Sequence, residues 1–516
     1  MKKRIFTTLI ILALIMTMIT GCSDVAEDDK VLVVRTFGDP MSFNPSILPD
    51  DSSYSIVQNI FNRLVKLDIS KQIIPDLAEE WKIEEEGTRI TFNLREDAKW
   101  HDGEPLTSKD VKYTFDTIKA NENYFFYDSM TQVESIHCPD DYTVIFNLNE
   151  PDVSFVASLG LYATFIVPEH IFNTDVSWED NPASMNPVGS GPFKFDSYTQ
   201  GQSIVLKSNE LYHEGAPKLD RLIFSIIPDD ATAVQALISG QIDVLEAIPP
   251  ANVEELIANS DIRMMLNEYP SPTRIVFNLN HELVQDVNVR RAIATAVDKE
   301  EISLKVYNGV RKPEYAMYPE MIEWVSNTEE TSPSYSIEKA VEILESAGYT
   351  KDADGYYVRG ITLDVYDDFG YSDVAKLMEA TLRQAGIEII VQVNEFNVWF
   401  EKVVIDRDFI LELQGGFMGP DPSQLGLRYG SGSYGNFAAY SNPDFDELMR
   451  EGIKTDNQEE RAAIYREAQA LLARDLPFFP IVGDAFYDAN SVRFTNLPID
   501  GEGKWGWQEY TYTDMN

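Results

Sequence analysis

Cysteine is almost absent from this chain: Cys22 and Cys138 are the only two in 516 residues. At most one disulfide can form, so a chain of this length must be held by buried apolar surface. Nor can two cysteines build a thiolate-rich zinc site. The length suffices for two or three lobes with substantial cores. With 44% hydrophobic and 11% aromatic residues, the chain is packed and not disordered. Cys22 also ends a distinctive leader. Lys2, Lys3 and Arg4 form a positive start, and Ile5 to Ile19 are apolar except for Thr7, Thr8 and Thr17. This is the layout of an export signal, and the run is shorter than the roughly 20 residues of a spanning helix.

Ile19-Thr20-Gly21-Cys22 resembles the lipobox of bacterial lipoproteins: an aliphatic residue, two small ones, then Cys. The resemblance implies a signal peptide over 1–21, cleavage before Cys22, and a diacylglyceryl group on its sulfur. Residues 22–30 then form a lipid-anchored leash, and no intramolecular disulfide remains. Two or more acyl chains anchor stably. The expected location is the cell membrane, on its extracytoplasmic face, with membrane contact only through the lipid. The charge agrees. Against 42 basic residues stand 85 acidic ones, a net −43, which repels nucleic acid and anionic lipid alike.

The mature chain alternates strand-like and helix-like segments, the pattern of an α/β fold with more than one lobe. Period-two alternation marks strands at 142–148, 89–94, 203–207 and 221–227. Ile337, Ala340, Val341, Leu344 and Ala347 recur at helical spacing, with Ser336 placed to cap and Gly348 to close. Ser372 is placed to open a second helix ending at Gly386, and a third runs from about Glu459 to Arg474.

Several blocks occur in a fixed order. They are Pro75 to Trp81, Thr91 to Arg95, Trp100-His101-Asp102-Gly103 and Val188-Gly-Ser-Gly-Pro-Phe193. Asp229 to Thr232, Ser239 to Asp243, Asn288 to Ile293 and Tyr440-Ser-Asn-Pro443 follow. Together they resemble the family 5 solute-binding proteins, the oligopeptide-, dipeptide- and nickel-binding type of ABC importer component. The resemblance implies a two-lobed periplasmic-binding-protein-like fold, class II and cluster C in type, with an extra domain. Domain I would comprise 31–68, 188–277 and 480–516, domain II 69–187, and domain III 278–479. Ligand would bind between domains I and III, the hinge would close, and an ABC permease and ATPase complex would receive the cargo. Most of these blocks read as scaffold. Gly189 to Pro192 is a tight turn without a phosphate loop's Lys, and His101 beside Trp100 reads as a structural histidine.

In this family the stretch matching Gly415 to Pro422 faces the cleft. Peptide-selective members carry Trp-x-x-Asp there, the Asp meeting the peptide's amine. Here Phe417 replaces the Trp and Pro420 stands at the Asp position, so Asp421 is the substitute amine contact, although Pro-Asp-Pro is also a rigid turn. The glycine-rich, aromatic segment from Arg428 to Asn436 suits close backbone approach, which makes Tyr429 and Asn436 candidates. Tyr54 lies where the first lobe lines the pocket, and Trp399 offers a stacking face. Asp367-Asp368 stands where dipeptide-selective relatives offer an Arg, which argues against a short peptide clamped at both ends; the pair also reads as helix N-terminal charge.

The expected ligand is an oligopeptide, held largely by backbone hydrogen bonds. An oligosaccharide stacking on Phe417, Tyr429, Tyr434 and Trp399 is the stronger alternative, and a metal chelate a further one. No cofactor or directly bound metal is expected, since His101, His137, His170, His213 and His281 all fall outside these loops. Asp352 to Gly355 mimics a calcium loop, but Leu363 occupies the position of its Glu, so it reads as a hairpin turn. No His-Glu-x-x-His or Gly-x-Ser-x-Gly occurs. The chain is therefore read as a binding protein and not an enzyme, a monomer, with a lipid-anchored hydrolase or a sensory adaptor as rival classes.

Overall fold

A computed structural model describes residues 30–516 apart from 47–50, 68–72, 123, 125, 161–163, 367–368, 417, 420 and 499–509. The leader, Cys22, Asp367, Asp368 and Phe417 lie outside the described residues.

Ten strands form one mixed sheet. Its first half is Phe193–Thr199, Ser203–Ser208, Arg221–Ile226, Val31–Thr36 and Val244–Leu245, in that spatial order. Its second half is Leu411–Gln414, Val358–Tyr366 and Ile387–Asn394. Two long strands, Ile262–Phe277 and Phe478–Ser491, run antiparallel through both. Val31–Thr36 shows why a strand forms: alternate side chains are buried, placing Leu32 and Val34 in the core.

The two halves have separate cores. Ile262 and Ala489, at one end of the long strands, pack with Val234, Leu237 and Leu256. Ile275, Phe277, Phe479 and Ile481, at the other end, pack with Ile293, Leu363 and Met378. The long strands therefore pass from one core to another.

A four-stranded antiparallel sheet in the order Ala78–Glu84, Arg89–Leu94, Thr143–Leu148 and Val133–Asp140 lies beside the first half. Helix Ser108–Lys119 covers it with Val111, Phe115 and Ile118, and a capping box closes its start at Thr107 and Asp110. Phe92 and Phe146 of this sheet join Ile60 and Phe193 in one continuous core. Gly189 and Gly191 permit that junction. A Cβ on Gly189 would stand 1.9 Å from the Ile60 carbonyl oxygen, and Gly191 N donates to that oxygen at 2.7 Å.

Helix Ile337–Ser346 begins at Ser336, whose hydroxyl accepts from Lys339 N, and Gly348 follows it with positive φ. The helix expected to open at Ser372 instead spans Tyr371–Gln384 and begins after Gly370, whose left-handed backbone sets the turn. The third helix is Gln458–Asp475, capped by Asn457. His101 is structural: its Nδ1 accepts from Gly189 N at 3.1 Å and its Nε2 faces Gly191 O at 3.0 Å. Burial pushes its pKa down to about 4, so the ring is neutral there. Among the described residues, no helix is long and apolar enough to cross a membrane.

Candidate functional site

The long strands do not pair without interruption. Their register shifts between Glu268 and Pro272, and again between Thr273 and Arg274, so Tyr269, Pro270 and Ser271 bulge from the ladder. Pro270 and Pro272 lack the N–H groups that a continuous ladder needs. The kink falls where the chain passes from one core to the other.

Asp484 fastens the kink from the opposite strand. It accepts from Ser271 Oγ at 2.8 Å and Thr273 Oγ1 at 2.9 Å, and pairs with Arg311 Nη1 at 3.1 Å. The Arg311 guanidinium lies 4.2 Å from the ring centre of Phe486 and 4.4 Å from that of Tyr307. Burial pushes the Asp484 carboxyl up, and Arg311 pulls it back toward ionisation.

Against this kink lies a strap, the segment after strand Leu411–Gln414. Gly416 N donates to Ser271 Oγ at 3.0 Å, and Met418 N to Pro270 O at 2.7 Å. Arg274 Nη1 donates to Gly416 O at 3.0 Å, and Tyr318 Oη to Gly419 O at 2.6 Å. Only glycine fits at the start of the strap. A Cβ on Gly415 would stand 2.6 Å from Tyr371 Oη, and one on Gly416, at φ +146°, 2.8 Å from Arg274 Nη2. Beneath it Glu412 is fully buried, which pushes its carboxyl up to about 8.

The residues singled out from sequence are dispersed. Asp421 Oδ1 takes both Arg461 Nη2, at 2.8 Å, and Ser423 N, at 3.0 Å, leaving Oδ2 without a hydrogen bond among the described residues. Tyr429 is buried and stacks on Phe478 at 4.4 Å and 6°, so its ring belongs to a core. Tyr54 is buried too, its hydroxyl accepting from Arg63 Nη2 at 2.7 Å. The Asn436 side chain staples its own loop, donating to Gly430 O at 2.9 Å and Tyr440 O at 2.7 Å. Trp399 is buried in an aromatic group, 4.7 Å from Tyr366 and 6.0 Å from Phe396. Phe396, in front of it, is 46% exposed.

Sequence reasoning missed Phe369. Its ring is 36% exposed and sits 5.9 Å from Phe486 and 5.8 Å from Tyr371, directly over the kink. Phe369 and Gly370 both have positive φ, 49° and 79°, and Tyr307 Oη donates to Phe369 O at 3.1 Å. A bulky residue held in the left-handed region is a strained, positioned one. The Phe-Gly pair just before the helix was the available signal.

On the first half's side, Asp488 accepts from Ala247 N at 2.8 Å, from Asn267 Nδ2 and from Tyr269 Oη at 3.5 Å. Burial pushes its carboxyl up to about 6. The site is thus a kinked pair of strands roofed by a glycine strap, with buried charge beneath and an exposed aromatic face beside it. It offers the exposed ring faces of Phe369 and Phe396.

Known proteins share this fold. Residues 72–437 match the family described as bacterial extracellular solute-binding proteins, family 5 Middle. Heme-binding protein A of Haemophilus influenzae is 28% identical over 501 residues, 92% of this chain and 89% of its own length. Oligopeptide-binding protein AppA of Bacillus subtilis is 29% identical over 469 residues, 87% of this chain and 85% of its own. The structure of AppA in complex with a nonapeptide superposes with a TM-score of 0.84 at 26% identity, covering 94% of this chain and 99% of that one.

Proposed function

The chain belongs to the bacterial extracellular solute-binding proteins of family 5, and on that premise we propose that it captures an oligopeptide between the halves of its sheet. A single observation carries the reading. Two strands pass from one core to another through a fastened kink, with exposed aromatic surface beside it. Such a joint lets two lobes close on a ligand and exclude water. The likeness to AppA, which was solved with a nonapeptide, supports a peptide over other solutes.

In this reading the lobes are 31–68 with 188–277 and 480–516 on one side and 278–479 on the other, while 69–187 extends the first. An extended peptide lies along the strap, and its side chains meet Phe369 and Phe396. The peptide's amine meets Asp421 Oδ2, the oxygen that Arg461 and Ser423 leave open. The closed protein hands its cargo to an ABC permease, tethered nearby by lipid on Cys22. Nothing is broken or made in the ligand: the site binds and releases.

Calorimetric titration with peptides of two to nine residues, followed by mass analysis of the recovered peptide, tests this. Saturable binding with the peptide returned intact is the expected result. Cleaved peptide would make the protein a hydrolase. Failure of every peptide, with binding of an oligosaccharide or a haem-like chelate, would replace the ligand.

A further inference from the structure

The four-stranded region shares its core with the first half, yet it also reaches the second. Val153 N donates to Ile453 O at 2.8 Å, and Tyr434 N donates to Asp128 Oδ2 at 3.3 Å. Each partner is anchored in its own body. Phe126 and Met130 flank Asp128, Phe155 and Val156 follow Val153, and all four lie in the core that holds Ile60 and Phe193. Met449, shortly before Ile453, and Ala438, shortly after Tyr434, lie in a core of the second half with Val276 and Phe478.

These contacts stand far from the kink. Leu279 N donates to Ala438 O at 2.9 Å, which places the Tyr434 loop beyond the end of strand Ile262–Phe277, roughly 25 Å along the strand from Pro270. The halves are therefore joined twice, by continuous strands at the kink and by the four-stranded region at the far end. The second joint is of a different kind. Among the described residues no buried apolar cluster spans it. Both hydrogen bonds cross it, and Glu150 lies within electrostatic reach of Arg450 and Lys454. Bodies that meet through small polar contacts move relative to one another, whereas a large apolar interface would hold them.

We infer that the four-stranded region is a latch: it holds the lobes shut over the cleft, and they part when its contacts with Tyr434 and Ile453 break. The inference rests on the proposed closing of the lobes, and it gives residues 69–187 a function of their own. A clamp tied at its hinge and at its far end opens by losing the weaker tie. One hydrogen bond of ordinary net strength changes an equilibrium by roughly two- to tenfold. Two of them bias the ratio of shut to open protein without fixing it, so the cargo can still leave.

Pulsed electron paramagnetic resonance on the whole protein tests this. Spin labels are carried on keto amino acids encoded in place of Lys109, on the helix over the four-stranded sheet, and Glu467, on helix Gln458–Asp475, both exposed. Wild type should show a short distance, matching this structure, and a longer one. Asp128→Ala combined with Val153→Pro, which removes the second N–H, should raise the ratio of long to short at least about fivefold. A ratio equal to that of wild type, or a single distance in both proteins, would overturn the latch. Should Val153→Pro not fold, Asp128→Ala alone decides: a rise of about twofold or more supports the latch, and no rise overturns it. No ligand enters the measurement, so an unchanged ratio leaves the peptide reading standing, and failure of every peptide leaves the latch standing.

Discussion

Phe369 is the residue on which the cleft reading rests most directly. Its ring is partly exposed over the kink and its backbone is strained, so, under the proposed peptide binding, Phe369→Ala should remove ligand contact without opening a core. Peptide affinity should fall by about 1.5–3 kcal/mol, ten- to a hundredfold, with thermal stability little changed. Titration calorimetry beside a melting curve checks both. Asp421 makes a different prediction. Asp421→Asn should weaken peptides with a free amine about tenfold while leaving N-acetylated peptides nearly unaffected. Equal losses for both would assign Asp421 to Arg461 alone. Asp488 carries a pH signature. Burial raises its carboxyl from the ordinary 3.8 to about 6, so the folded state favours the protonated form. Its stabilising contribution is complete below the unfolded value and is lost as pH rises through 6. Asp488→Asn should therefore gain stability relative to wild type between pH 4 and 7, by up to roughly 3 kcal/mol. Urea denaturation at stepped pH measures it, and a pH-independent difference would contradict it.

At the scale of elements, the strap and the kinked strands form one unit. Gly416→Ala puts a Cβ against Arg274 and forces an unfavourable backbone, so it should cost about 1–3 kcal/mol by denaturation and weaken peptide binding together with stability. Unchanged peptide affinity in a destabilised variant would separate the strap from the site. Helices such as Ile337–Ser346 were legible because their determinants are local: a cap at Ser336, apolar spacing of three and four, and Gly348. Strand Arg89–Leu94 was legible from alternation alone. The site was not, because its determinants are distant pairings. Asp421 meets Arg461 across 40 residues, and the Asp484 partners Ser271 and Thr273 lie more than 200 residues away. Nothing local distinguishes Tyr429, stacked in a core on Phe478, from a tyrosine open to ligand. Residue type suggested contact, and packing decided otherwise where the partner came from another element.

For the whole molecule, the ordered blocks along the chain gave the family, since they are the scaffold's own joints. The Asn288 to Ile293 block places buried Arg290 where it donates to Leu476 O at 3.0 Å and Val284 O at 2.8 Å. The blocks carry architecture and leave the cargo to a few exposed groups. The same scaffold is similar both to a haem-binding protein and to an oligopeptide-binding protein, so the cargo must be measured. Native mass spectrometry of the protein purified without denaturation does this most directly. For an oligopeptide carrier the expected result is a spread of added masses that fragment as peptides. A single added mass that fragments as a sugar or a chelate would contradict it.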